Sequence, residues 1–195
     1  MRFLPWLLAL GCIPHLETTG TYDTDVGPVG SWEAPENRWP LATPPAALVG
    51  EGWEPGQTVP DVRVADQHGD VVSLWQFHGQ VVLLDISTMW CAPCRDLAQD
   101  TQHTQESYAS EGFVYLTVLQ ESVEGGPPIL EDLNLWADNY GIDGPVVGDG
   151  DKSTAGAVQQ NQFPAVLVIG RDLTVEQRVN PPTDASVRAA IERAL

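Results

Sequence analysis

The chain has 195 residues, 43% of them hydrophobic and seven of them tryptophan, which is enough for one folded domain with a substantial core and a tail. Its net charge is −18, from 27 acidic residues against nine basic ones. That balance excludes nucleic acid and anionic membrane as partner surfaces, because both need basic patches. Three cysteines and four histidines scattered singly do not supply the four ligands of a zinc site, so no metal or other cofactor is expected.

The chain opens with one basic residue, Arg2, an apolar run from Phe3 to Leu10, and the small Gly11 before Cys12. This pattern predicts an export signal over residues 1–11, too short to span a bilayer. Ala9-Leu10-Gly11-Cys12 resembles the lipoprotein box of bacteria, in which the cysteine is lipidated and becomes the mature N-terminus. The resemblance implies a lipid anchor at Cys12 and a periplasmic or outer-membrane-anchored location. Residues 12–55 are rich in Pro, Gly, Thr and acids and show no sustained period, so they read as a tether. Trp32, Trp39 and Trp53 interrupt it and are candidates for docking onto the domain, which is expected over residues 56–195.

Within that domain, Val62–Val64 and Val71–Leu74 alternate around Asp66–Asp70, as in a β-hairpin. Val81–Ser87 is a continuous apolar strand, interrupted by Asp85 and suited to burial on both faces. A helix is predicted from Pro93 to about Ser110, ended by Gly112, and a second buried strand over Phe113–Gln120. Pro127-Pro128 opens a helix with Ile129, Leu133, Trp136, Ala137 and Tyr140 on one face and Gly141 as its stop. A short strand at Pro145–Val147 and a short helix over Asp151–Gln160, capped by Asp149 or Asp151, come next. Ala165–Ile169 and Leu173–Arg178 form a second hairpin, and Thr183 caps a last helix. Strands alternating with helices and closing on a hairpin and a helix predict an α/β domain: a central mixed sheet flanked by helices on both faces.

The stretch that carries chemistry is Trp90-Cys91-Ala92-Pro93-Cys94, where an apolar strand delivers two cysteines to a helix start. Unpaired N–H groups and the partial positive charge there favour a thiolate, so Cys91 is the expected nucleophile. Cys94 lies one turn further in and can close a disulfide with it. Asp85 stands six residues before Cys91 in an apolar strand, where a carboxylate is costly. Asp149-x-Asp151-x-Ser153 has the look of a calcium loop, but Thr154 replaces its Gly and Gln160 its closing Glu, so it reads as helix capping.

Trp90-Cys91-Ala92-Pro93-Cys94-Arg95 resembles the active site of the thioredoxin superfamily, and the context from Gly56 to Leu195 resembles its extracytoplasmic TlpA/ResA-like reductases. The resemblance implies a thioredoxin-like fold with an N-terminal β-hairpin and an inserted helix–strand unit. It implies a protein-disulfide reductase in which Cys91 attacks, Cys94 resolves, and Asp85 relays a proton to the second cysteine. It places Phe163-Pro164 at the superfamily's cis-proline, so that Trp90, Pro93, Phe163 and Pro164 line the substrate. Disulfide-containing protein substrates, a membrane thiol electron donor and a monomeric state go with it. The absence of a cationic residue between the cysteines favours a reductant over an oxidant. Two alternatives stand beside this reading. Thr88-x-x-Cys91 fits a thiol peroxidase, although Leu84 stands where that pattern has proline; a non-catalytic binding module on a surface lipoprotein is the other.

Overall fold

The computed structural model describes residues 32–195. The signal segment and Cys12 lie outside the described residues. Strands β1 (Arg63–Asp66) and β2 (Val71–Ser73) form the first hairpin, with Val64 opposite Val72. Asp66 shapes its turn, accepting the N–H groups of His68 and Asp70 at 2.8 and 2.9 Å, and Gly69 supplies the positive φ of 82°. Strand β3 (Val81–Thr88) is buried at all eight positions. It pairs parallel with β4 (Phe113–Glu121) and antiparallel with β6 (Ala165–Ile169). Strand β5 (Val146–Gly148) lies between β4 and β1, and β7 (Val175–Val179) closes the far edge. The resulting seven-stranded mixed sheet has the order β2-β1-β5-β4-β3-β6-β7. The apolar character of β3, broken by Asp85 and the closing Ser87 and Thr88, suits its place inside the sheet, with both faces covered.

Four helices, α1 (Ala92–Ala98), α2 (Thr101–Tyr108), α3 (Leu130–Tyr140) and α4 (Asp184–Ala194), pack on the face that carries Leu83, Tyr115, Leu119 and Val166. The other face, with Val82, Leu84, Ile86, Leu116 and Leu167, is covered by Trp53, Val59, Trp75, Phe77 and Ala157 from irregular and 3₁₀ segments. Helices therefore cover one face, not both. The predicted helix over Asp151–Gln160 is the reason: it forms only two 3₁₀ turns, Ala155–Ala157 and Gln159–Asn161. The Asp149 carboxylate captures the backbone and hydroxyl donors of Ser153 and Thr154, and Gln160 and Asn161 take φ of 53° and 54°, which an α-helix cannot continue through.

The single helix expected from Pro93 to Ser110 is also divided. Asp100, at φ −102° and ψ −2°, leaves the ladder; its N–H bonds back to Leu97 and its carbonyl starts the next turn at Thr104. Aspartate favours initiating a helix over continuing one. Gly141 (φ 62°) ends α3, and the Thr183 side chain caps α4 by accepting from the Ser186 N–H.

Residues 32–55 contain no helix or strand. They lie along the domain, with the Trp32 indole N–H donating to Ser73, Trp39 to Asp66 at 2.6 Å, and Asn37 exchanging hydrogen bonds with the buried Gln76. Trp39 also stacks on His68. Trp53 is buried against the sheet beside Gly156, and its carbonyl accepts from Arg178.

Candidate active site

Strand β3 ends at Thr88, and two residues, Met89 and Trp90, carry the chain to Cys91 at the N-cap of α1. Cys91 and Cys94 form a disulfide with Cα atoms 5.3 Å apart. Cys91 keeps 5% of its surface exposed and Cys94 none. The Cys94 N–H points at the Cys91 sulfur, 3.2 Å away. Pro93, whose missing N–H costs nothing in a first turn, is exposed beside it. The Phe163 carbonyl lies 3.5 Å from Cys91 Sγ, and the Phe163–Pro164 bond is cis. The Trp90 indole stands edge-on to the Phe163 ring at 6.1 Å and is 46% exposed. Trp90 and Phe163 thus lie beside Cys91, with Pro93 in the turn that follows it and Pro164 on the far side of the cis bond.

Asp85 lies deeper in β3, 1% exposed, on the helix-covered face. Its two oxygens accept hydrogen bonds from the Ser87 hydroxyl at 2.7 Å and the Tyr115 phenol at 3.2 Å. Burial pushes its carboxyl up to about 6, while the two hydroxyl donors work in the opposite direction by favouring the ionised form. Burial, and next the Asp85 charge, push the Tyr115 phenol well above its ordinary value, so Tyr115 remains a donor at every physiological pH.

Tyr115, Glu121 and Lys152 are site neighbours the sequence reading did not single out. Tyr115 had a signal, a hydroxyl inside an apolar strand; the pairing of Glu121 with Lys152 had none, because it depends on how the end of β4 meets the loop that carries Lys152. Among the described residues no group of three or more His, Cys, Asp or Glu side chains could hold a metal ion. No helix among them is long and apolar enough to cross a membrane.

A mixed sheet with a Cys-x-x-Cys disulfide at the start of its first helix, facing a cis-proline loop, defines a thioredoxin-like fold. The chain belongs to the AhpC/TSA family, whose model matches residues 55–178. It is similar to the thioredoxin-like protein YneN of Bacillus subtilis, 28% identical over 98 residues, which are 50% of this chain and 55% of that protein. The chain therefore matches about half the length of that relative. Among solved structures it resembles a putative thiol:disulfide interchange protein DsbE from Chlorobium tepidum, with a TM-score of 0.62 and 23% identity over 73% of this chain and 99% of the other. It also resembles a secreted thiol-disulfide isomerase from Corynebacterium glutamicum, with a TM-score of 0.54 and 23% identity over 62% and 74% of the two chains.

Proposed function

We propose that the protein is a thiol–disulfide oxidoreductase that reduces disulfides of extracytoplasmic proteins. The observation that carries this reading is the Cys91–Cys94 disulfide at a helix start, with Cys91 against the Phe163 carbonyl and Cys94 fully enclosed. In the reduced protein, the Cys91 thiolate attacks one sulfur of a substrate disulfide and expels the other as a thiolate. Cys94 then attacks Cys91 Sγ, the second substrate sulfur leaves, and two electrons have passed from the cysteine pair to the substrate. Cys94 must lose its proton in an enclosed setting, and Asp85 is the group assigned to take it, with a pKa near working pH. Trp90, Pro93, Phe163 and Pro164 receive the substrate chain.

Each turnover leaves the pair oxidised, so an external dithiol donor must restore it; a membrane-bound one fits the proposed export and lipid anchoring through Cys12. The chain acts as a monomer in this reading. The test is reduction of a disulfide peptide by the pre-reduced protein, with Cys91→Ser as control, together with the reduction potential of the pair. A potential nearer thioredoxin's, about −270 mV, than the oxidant DsbA's, about −120 mV, supports a reductant.

A second reading, thiol peroxidase, is favoured by Thr88, whose buried hydroxyl has no hydrogen-bond partner among the described residues and stands three residues before Cys91. Here peroxide oxidises Cys91 to a sulfenic acid, and Cys94 displaces water from it to form the disulfide. Consumption of hydrogen peroxide at a rate matching disulfide reduction, and lost in Thr88→Val, decides for this reading.

A further inference from the structure

Beside the cysteine pair runs a chain of contacts that ends on the only lysine of the sequence. Lys152 Nζ lies 2.6 Å from Glu121 Oε1, and the Trp90 indole N–H donates to Glu121 Oε2 at 2.8 Å. Trp90 meets Phe163 edge-on, and the Phe163 carbonyl faces Cys91 Sγ. One carboxylate thus bridges a cation and the tryptophan that precedes the nucleophile.

The lysine is held in place by its own loop. Its backbone adopts φ 59°, a left-handed conformation that a residue with a Cβ enters only when its surroundings fix it there. Those surroundings are specific. The Lys152 N–H bonds to the Asp149 carbonyl, and the Asp149 carboxylate gathers Ser153 and Thr154. The buried Gln120, next to Glu121 on β4, donates to the Thr154 hydroxyl at 2.8 Å and ties the loop to the strand. Glu121 also receives the Met89 N–H on its carbonyl, which fixes the backbone entering Trp90. The Lys152 hydrogen bond, then that of Trp90, hold the Glu121 carboxyl below its usual range, as expected of a carboxylate kept charged between two donors.

We propose that Glu121 and Lys152 are positioning residues that set the orientation of Trp90 and, through it, the affinity for the substrate chain. Lysine fixes one carboxylate oxygen and leaves the other aimed at the indole; without it, the glutamate is free to swing into solvent and the indole to rotate off Phe163. The substrate side of this inference rests on the reading of Cys91 as the attacking thiol. The ion pair is half-exposed, so its loss has a modest effect; loss of the charge-assisted bond to the indole has a larger one.

The experiment has two arms on the full protein. In the first, the indole proton resonance of Trp90, assigned through its disappearance in Trp90→Phe, is followed in Lys152→Ala, Lys152→Arg and Glu121→Gln. It is expected to shift toward free indole in Lys152→Ala and further in Glu121→Gln, and to stay near the wild-type position in Lys152→Arg. In the second, KM and kcat are measured for a disulfide peptide. KM is expected to rise about threefold in Lys152→Ala and about tenfold in Glu121→Gln, with kcat within about twofold and Lys152→Arg restoring KM. In a Trp90→Phe background, Lys152→Ala is expected to change nothing further. An unmoved resonance in Lys152→Ala, or an equal KM rise with and without Trp90, overturns the proposal. A wild-type protein that turns over no disulfide overturns the reading of Cys91 instead, and the resonance arm then decides alone whether Glu121 and Lys152 hold Trp90.

Discussion

Asp85 is where burial and hydrogen bonding pull in opposite directions. Burial, the larger effect, raises the carboxyl to about 6; Ser87 and Tyr115 limit the rise. Between about pH 4 and pH 6 the folded chain holds a proton on Asp85 that the unfolded chain has released. Stability therefore declines as pH rises through that window and stays lower above it. Asp85→Asn removes the penalty and is expected to stabilise the protein at pH 8 by up to about 3 kcal/mol, with little gain at pH 4, as read by urea unfolding at both. The same variant should slow release of the mixed disulfide and leave the first attack nearly intact; single-turnover reduction of a disulfide peptide across pH checks this. An unchanged release rate shows Asp85 to be a strand residue only. For the cysteines, alkylation of the reduced protein near pH 6 should label Cys91 before Cys94, since Cys91 alone reaches solvent and its sulfur faces the Cys94 N–H. At this scale an acid in an apolar strand was visible in the sequence. Its pairing with Tyr115 was not, because the contact spans thirty positions and is set by the register of β3 against β4.

Among the elements, the strands and hairpins followed their apolar patterns closely, since alternation and turn residues such as Asp66 and Gly69 act locally. The helices were harder to read where a side chain competes with the backbone. Asp100 divides the active-site helix, and Asp149 holds the next segment in 3₁₀ turns by taking two backbone N–H groups, of Ser153 and Thr154, together with their hydroxyls. Both aspartates are in plain view, and Asp149 is, with Asp151, one of two candidate caps, but propensity alone does not say whether a cap begins a helix or replaces it. Because Asp149 is buried, its replacement by alanine strands several donors. Asp149→Ala is expected to destabilise the fold by about 2–4 kcal/mol, measured by urea unfolding, with Asp149→Asn losing less. A loss under about 0.5 kcal/mol would falsify the view that this carboxylate organises the loop.

At the scale of the molecule, one face of the sheet depends on the segment ahead of β1. Composition marks residues 12–55 as a tether; the described part of it, residues 32–55, has no helix or strand and lays three tryptophans against the domain. Trp53 sits in the same apolar cluster as Leu84 and Leu167. Trp53→Ala is expected to cost about 3–5 kcal/mol and to lower Tm by about 10 °C; a Tm within two or three degrees of wild type would show the contact to be superficial. The sequence pointed to these aromatics without saying where they land, because their partners, among them Ser73, Asp66 and Arg178, come from both ends of the domain.

That segment also determines how the molecule bears mechanical load. Tension entering at residue 32 acts first on the bonds of Trp32, Glu33, Asn37 and Trp39 to β1, β2 and the turn after them. Strands β5 and β4 stand between that edge and β3, which leads to the cysteine pair. A pull from the N-terminal side therefore peels the segment away bond by bond before any shear reaches the strand behind Cys91, so the segment serves as a fuse. With one handle at residue 32 and the other in the exposed loop at Glu124, force spectroscopy should show an early low-force extension of up to about 80 Å, the reach of some two dozen residues, ahead of the main unfolding event. A single high-force rupture with no early step would show that the segment and the sheet yield together.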